Sequence, residues 1–184
     1  MKSTVETAEI AQPYAQALMS LAKSKNLTEE FGNDARTLID LVQNSQQLKN
    51  FIDNPFIKPD TKKGVISQIL GEQANPYLRN FLLLLVDKRR IFFLEEILQQ
   101  YLALLRQLNQ TVLAEVTSAV PLSEEQQQAI EQKVIALTKA RQVELVTKVD
   151  SDLIGGVIIK VGSQVIDSSL RGQLRRLSLR LTNG

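Results

Sequence analysis

Residues 153–169 read LIGGVIIKVGSQVIDSS, in which two adjacent glycines precede an apolar run and a third glycine precedes a second run. A dinucleotide-binding loop needs the spacing G-x-G-x-x-G between a strand and a helix, and a P-loop needs Gly-Lys followed by Ser or Thr. Neither pattern occurs here. Gly162-Ser163 instead predicts a two-residue type II′ turn that pairs Val157–Val161 with Gln164–Asp167. The adjacent glycines predict a sharp turn or a close backbone approach. This stretch therefore indicates part of a small sheet and excludes a nucleotide loop.

The residues before this hairpin predict the rest of a small α+β unit. Val112, Ala114 and Val116 recur at every second position, and so do Val143, Leu145, Thr147 and Val149, which is the period of a half-buried strand. Between these strands, Ser123 and Gln126 have the spacing of a capping box, which predicts the start of a helix. The residues that we expect this helix to turn inward are Ile130, Val134 and Leu137.

The first part of the chain has a different period. Apolar residues recur there every three or four positions in six segments, which is typical of amphipathic helices. Capping residues and prolines separate the segments. We predict a mainly α fold, with an N-terminal six-helix bundle over 1–108 and a smaller α+β domain over 109–184. We expect Thr28 to cap the second helix. The other residues that indicate the helix boundaries are Ser45, Asn54-Pro55, Pro59 and Asn75-Pro76.

The composition weighs against catalysis. The 184-residue chain has no cysteine and no histidine, so it lacks thiolate nucleophiles, zinc–thiolate sites and the commonest general base. Its carboxylate pairs, Glu29-Glu30, Glu95-Glu96 and Glu124-Glu125, lie in early helical turns, where the helix dipole favours acidic residues. We therefore predict a protein that is not an enzyme and that binds no cofactor or metal ion. A carboxylate-based enzyme is the least favoured class.

Charge and hydropathy narrow the choice of partners. The net charge of +2 is too small to indicate nucleic-acid binding by itself. The longest apolar run, Phe81–Val86, is far shorter than the ~20 residues that span a bilayer. The chain opens without the pattern of a secretory signal. We expect a soluble protein that associates with a membrane only through its partners.

Three stretches resemble one protein family. AQPYAQALMSLA (11–22), NFLLLLVDKRRIFFLEEILQQYLALL (80–105) and VDSDLIGGVIIKVGSQVIDSSLRGQLRRL (149–177) are similar to segments of the delta subunits of F-type ATP synthases. The mitochondrial counterpart is the oligomycin-sensitivity-conferring protein. The resemblance implies a stator connector of a proton-translocating enzyme, which links the catalytic head to the peripheral stalk and resists rotation of the head. It also implies a location on the cytoplasmic or stromal side of an energy-coupling membrane, plasma or thylakoid.

The resemblance further implies two binding surfaces. In the family, a groove between the first and fifth helices holds the N-terminal segment of an alpha subunit, and the C-terminal domain holds the b-type stalk subunits. The residues expected in the groove are Ala11, Tyr14, Ala17, Leu18, Phe81, Leu84, Leu85 and Lys88. Those expected at the stalk surface are Leu170, Arg171, Leu174, Arg175, Arg176 and Arg180.

Each surface also has a simpler interpretation. The small and apolar residues of the first helix are typical of packing within a bundle. The arginines near the C-terminus are typical of the solvated face of a helix that docks through Leu170, Leu174, Leu177 and Leu181. The alternative function is a helical nucleic-acid-binding or regulatory adaptor that uses these arginines. No aromatic residues are interleaved with them for base stacking.

Overall fold

The computed structural model describes residues 4–71 and 74–174, with the backbone alone described at 4–6 and 8. The chain divides into two compact units, Met1–Leu105 and Arg106–Gly184. Each unit has its own hydrophobic core. The division falls one turn before the end of the sixth helix, whereas the hydrophobic period of the sequence changes after Asn109.

The N-terminal part of the structure is helical, as the 3.6-residue period predicts. A short 3₁₀ turn, Ile91–Phe93, leads into the sixth helix. The helices are α1 (Thr4–Lys25), α2 (Thr28–Asn44), α3 (Gln46–Asp53), α4 (Pro59–Leu70), α5 (Pro76–Asp87) and α6 (Leu94–Asn109).

Local capping explains most of these boundaries. The Ser45 hydroxyl caps α3 by accepting a hydrogen bond of 3.2 Å from the backbone N–H three residues on. The Asn75 side chain caps α5 by accepting one of 3.0 Å from Tyr77 N–H. α4 begins at Pro59, whose fixed φ suits the first helical turn. The boundary predictions made from these residues are confirmed.

The prediction that Thr28 caps α2 is wrong. α1 ends in a left-handed turn, in which Asn26 has a φ of +56° and its N–H donates to the Lys23 carbonyl at 3.3 Å. The N–H of Leu27 donates a hydrogen bond of 2.9 Å to the Ala22 carbonyl, which completes a common helix-terminating motif. This turn makes Leu27 the N-cap of α2, so Thr28 is already the first helical residue.

Each of the helices α1–α6 contributes buried side chains to the core of the first unit. Tyr101 of α6 is fully buried, and its hydroxyl donates a hydrogen bond of 2.9 Å to the Thr28 carbonyl at the start of α2. A Cβ added at Gly32 would lie 2.5 Å from the Leu105 side chain, so α2 and α6 pack closely there. Other fully buried side chains are Leu18, Phe31, Leu78, Leu82, Leu85, Ile97 and Leu98.

A four-stranded mixed sheet forms the second unit. Its strand order is β2-β1-β3-β4, where β1 and β2 are parallel and the other pairs are antiparallel. Parallel strands need a crossover, and helix α7 (Glu124–Thr138) provides it. Ser123 and Gln126 form the predicted capping box at its start. The strands are β1 (Thr111–Ser118), β2 (Gln142–Val149), β3 (Val157–Val161) and β4 (Gln164–Asp167).

The glycine-rich stretch is the hairpin that the sequence predicts. Val161 pairs with Gln164 across the two-residue turn, and Gly162 has a φ of +57° while Ser163 has no positive φ, as a type II′ turn requires. Gly156 has a φ of +80°, and a Cβ there would collide with the Ser168 backbone carbonyl. Gly162 therefore permits the turn, and Gly156 permits the close approach of two backbone segments.

α7 covers one face of the sheet. Ile130 and Val134 pack on Ala114, Val116 and Ile159, which confirms two of the three inward positions predicted for this helix. The third prediction is wrong, because Leu137 is 55% exposed. Leu137 lies in the last turn of α7, which leads to the start of β2. The sheet is only two strands wide there, because β3 pairs with β1 only from Ala114 onward.

Candidate partner-binding surfaces

One side of α1 carries a partly exposed apolar stripe. Ile10, Tyr14 and Leu21 are half-buried and Ala17 is exposed. Their spacing of four, three and four residues places them along one side of the helix. Leu18 follows Ala17 directly but is fully buried, because one residue rotates the helix by about 100°. The stripe therefore borders the core without being part of its centre.

α5 carries a stripe with the same spacing. Tyr77 is 41% exposed and Leu84 is 46% exposed, and Lys88 follows as an exposed cation at the end of the helix. Phe81 lies between them in the sequence and is only 8% exposed, so it belongs to the core beneath the stripe. Leu85 turns fully into the core. This side of α5 is apolar along its length and ends in a positive charge.

A contact between the two helices joins these stripes at one end. The Lys25 Nζ lies 5.1 Å from the centroid of the Tyr77 ring, a distance typical of a cation–π interaction. Lys25 comes four residues after Leu21 and so lies on the same side of α1. The end of the α1 stripe thus meets the start of the α5 stripe. We call the surface formed by Ile10, Tyr14, Ala17, Leu21, Tyr77, Leu84 and Lys88 the α1/α5 groove.

The structure separates the eight residues expected in this groove into two sets. Ala17, Leu84 and Lys88 are exposed and Tyr14 is half-buried, so their side chains can reach a partner. The other four belong to the hydrophobic core and are not available as a free surface: Ala11, Leu18, Phe81 and Leu85. The two stripes also contain Ile10, Leu21 and Tyr77, which are not among the expected residues and which the repeat of four, three and four residues could have indicated.

The expected stalk surface is described only at its start. Leu170, Arg171 and Leu174 are exposed, in a helical segment at 170–174. The Asp167 carboxylate accepts hydrogen bonds from the Ser169 backbone at 2.9 Å and from its hydroxyl at 2.6 Å. These bonds position the first turn of the helix. The expected residues Arg175, Arg176 and Arg180, and the predicted Leu177 and Leu181, lie outside the described residues.

The described titratable groups show no reactive arrangement. Burial raises the pKa of Tyr101 to about 12, with a smaller contribution from the charge of Glu29. Burial also raises the pKa of Asp34, aided by Glu30, and lowers that of Lys62. Within residues 4–71 and 74–174, no group of acidic side chains could hold a metal ion. In the same ranges, no helix is long and apolar enough to cross a membrane.

Comparison with known proteins decides the family. Residues 10–181 match the family described as ATP synthase delta (OSCP) subunit. The chain belongs to the ATP synthase delta (OSCP) family. An ATP synthase subunit delta from Trichormus variabilis is 80% identical over 183 residues, and one from Nostoc sp. is 79% identical over the same length. Both alignments cover 100% of both chains.

A solved structure agrees with this assignment. A chain in the cryo-EM structure of the Toxoplasma gondii mitochondrial ATP synthase hexamer has a TM-score of 0.72 and 25% identity to this one. The match covers 94% of this chain and 97% of that chain. The delta (OSCP) family consists of structural subunits of F-type ATP synthases, so the predictions of a peripheral-stalk component and of a protein that is not an enzyme are confirmed. Its partners are other subunits of the ATP synthase.

Proposed function

We propose that this chain connects the catalytic head to the peripheral stalk, with the bundle over 1–108 binding the head and the domain over 109–184 binding the stalk. The observation that carries this proposal is the α1/α5 groove, an exposed apolar surface backed by a complete core. Its occupant is the N-terminal segment of an alpha subunit, bound as an amphipathic helix. Helix-in-groove binding uses apolar anchors spaced three or four residues apart, which matches the spacing of both stripes.

The groove suits a stator because it can bind without rearrangement. The side chains behind it are already packed, so binding does not have to order the bundle, and the cost of association is lower for a preformed surface. Ala17 has a small side chain at the middle of the α1 stripe, where a partner helix can approach closely. Lys88 at the end of the α5 stripe favours an acidic residue at one end of the partner.

A single substitution in the groove tests this assignment. Ala17→Asp places a charge within an apolar contact, and we expect the affinity for a synthetic peptide of the alpha N-terminal segment to fall by at least about tenfold. Ala17 is exposed, so the melting temperature of the free protein should change little. Gln16→Asp adds the same charge at an exposed position about 100° around α1 from Ala17, away from the stripe, and should leave the affinity unchanged. Calorimetric titration measures both, and equal affinities for the two variants would refute the groove assignment.

For the stalk surface, the proposed contacts are Leu170, Arg171 and Leu174, continued by Arg175, Arg176 and Arg180. The arginines complement acidic helices of the b-type stalk subunits. Deletion of 170–184 should abolish capture of a b-subunit fragment while binding of the alpha peptide persists. Capture of the b fragment by the truncated chain would show that the stalk binds elsewhere. Through these two contacts the chain would lie on the cytoplasmic or stromal side of a plasma or thylakoid membrane, in a proton-translocating synthase.

A further inference from the structure

The loop between α3 and α4 presents a fully exposed aromatic side chain. Phe56 is 94% exposed, although phenylalanine is usually buried. The loop around it is braced, because the Asn54 side chain accepts a hydrogen bond of 2.9 Å from Phe56 N–H and because Pro55 and Pro59 restrict the backbone. An exposed aromatic ring on a braced loop is typical of an anchor at a protein interface.

A groove of about 420 Å³ adjoins this ring. Its apolar lining includes Ile57, Val86 and Phe92, in addition to Phe56 itself. Its charged lining consists of the cations Lys58, Lys62 and Arg89 and one acid, Asp53. The excess of positive charge beside apolar surface favours an acidic occupant that also has an apolar side chain.

Arg89 occupies a backbone conformation that favours glycine. Its φ is +53°, and it ends α5 with a hydrogen bond of 2.9 Å from its N–H to the Val86 carbonyl. The next residue, Arg90, donates from its N–H to the Leu85 carbonyl at 2.7 Å. Glycine is the usual residue at this position of a helix terminus, asparagine is the common substitute, and a long side chain such as arginine is strained there. An arginine at a strained position that lines a groove points to a binding role.

Lys62 gives the groove a buried positive charge. Its side chain is almost fully buried, and its Nζ donates a hydrogen bond of 2.5 Å to the Ile52 carbonyl. Burial lowers the pKa of Lys62, and Asp53 only partly opposes this effect. An anionic partner would stabilise the charged lysine. By contrast, an adjoining cavity that shares Asp53 with this groove is also lined by Glu95 and Glu96 with Lys49, so it disfavours an acidic partner.

We propose that Phe56 and this groove form a second surface for the catalytic head, which binds an acidic segment of a head subunit that packs an apolar side chain against Phe56. The inference rests on the proposed function, in which the first unit faces the head. The surface is separate from the α1/α5 groove, because Val86 lies two residues from Leu84 and therefore about 200° around α5. The two grooves would hold the head on two sides of one helix.

Two variants of the full chain test this surface against two probes. The probes are the synthetic alpha N-terminal peptide and the intact catalytic head of a cyanobacterial ATP synthase. For Phe56→Ser, we expect affinity for the head to fall by at least about tenfold. For Arg89→Gly, we expect a loss of roughly three- to tenfold and a weaker dependence of head affinity on salt. Both variants should bind the peptide as the unmodified chain does.

Matched controls separate binding from folding. Arg89→Gly relieves backbone strain, so its melting temperature should stay the same or rise while head affinity falls. Lys139→Gly removes an equal charge and a similar strain, at a φ of +55°, from the end of α7 in the second unit. Leu41→Ser removes an exposed apolar side chain of α2 that does not line the groove. Neither control should alter affinity for the head.

The outcomes distinguish this surface from the α1/α5 groove. Unchanged head affinity in both Phe56→Ser and Arg89→Gly would overturn the second surface. Loss of peptide binding in Arg89→Gly would also overturn it, because the two grooves would then not be separate. Equal salt dependence of the unmodified chain and Arg89→Gly would overturn the acidic character of the occupant. If the unmodified chain fails to bind the peptide but Phe56→Ser still weakens head binding, the proposed groove function fails and the second surface stands.

Discussion

Replacing Tyr101 by phenylalanine should change how the stability of the first unit depends on pH. The Tyr101 ring is fully buried and its hydroxyl donates a hydrogen bond of 2.9 Å to the Thr28 carbonyl. Tyr101→Phe keeps the ring and removes this bond, so the free energy of unfolding at pH 7 should fall by about 1 kcal/mol. Packing of α6 should be preserved, since the two rings have nearly the same shape.

Above pH 10, the difference in free energy of unfolding between the unmodified chain and Tyr101→Phe should shrink and then change sign. The pKa of Tyr101 is raised from 10.0 to about 12, chiefly by burial, so the unfolded chain loses the proton first. The stability that comes from keeping the buried hydroxyl neutral is therefore fully present below pH 10 and is lost as the pH rises toward 12. A difference of two pKa units corresponds to roughly 3 kcal/mol, and about half of it should be lost by pH 11. Stability curves of the unmodified chain and Tyr101→Phe should therefore cross near pH 11.

Urea unfolding followed by circular dichroism at 222 nm, from pH 7 to 11.5, measures both effects. Other groups titrate in this range, so the difference between the two chains is the relevant quantity. Tyr77→Phe is the matched control, because it removes the same hydroxyl from a partly exposed side chain. Parallel curves for Tyr101→Phe throughout the range would refute the link between burial and the raised pKa.

Three further predictions concern the fold. Gly156→Ala should strongly destabilise the second unit, because a Cβ there would collide with the backbone after β4. Gly64→Ala in α4 should instead raise thermal stability, because its Cβ would meet open space and alanine favours the helix more than glycine does. Ser123→Ala should lower the free energy of unfolding of the second unit by about 1 kcal/mol through loss of the α7 capping box, and an unchanged urea midpoint would contradict this. A fragment of 1–108 should melt cooperatively as a helical protein, because all residues of its hydrophobic core lie within the fragment. A circular dichroism spectrum typical of an unfolded chain would show that the bundle depends on the second unit.

Features that depend on neighbouring residues could be predicted from the sequence. The caps at Ser45, Asn75 and Ser123 join groups two or three residues apart, and the turn at Gly162-Ser163 needs only the φ that glycine permits. The number of helices follows from the 3.6-residue period for the same reason. Thr28 was predicted wrongly because the end of α1, in the preceding segment, had already determined where α2 begins.

Which apolar residues remain exposed was decided by tertiary packing. Ala17 and Leu18 are equally plausible partner contacts in the sequence, but only the positions of the other helices bury one and expose the other. Leu137 has the right period for the core, yet the sheet is only two strands wide where the last turn of α7 lies. Phe56 and Arg89 lie outside any periodic segment, so no pattern indicated a shared groove. Periodicity specifies the direction of a side chain around its own helix, whereas burial depends on elements distant in the sequence that the chain brings against it.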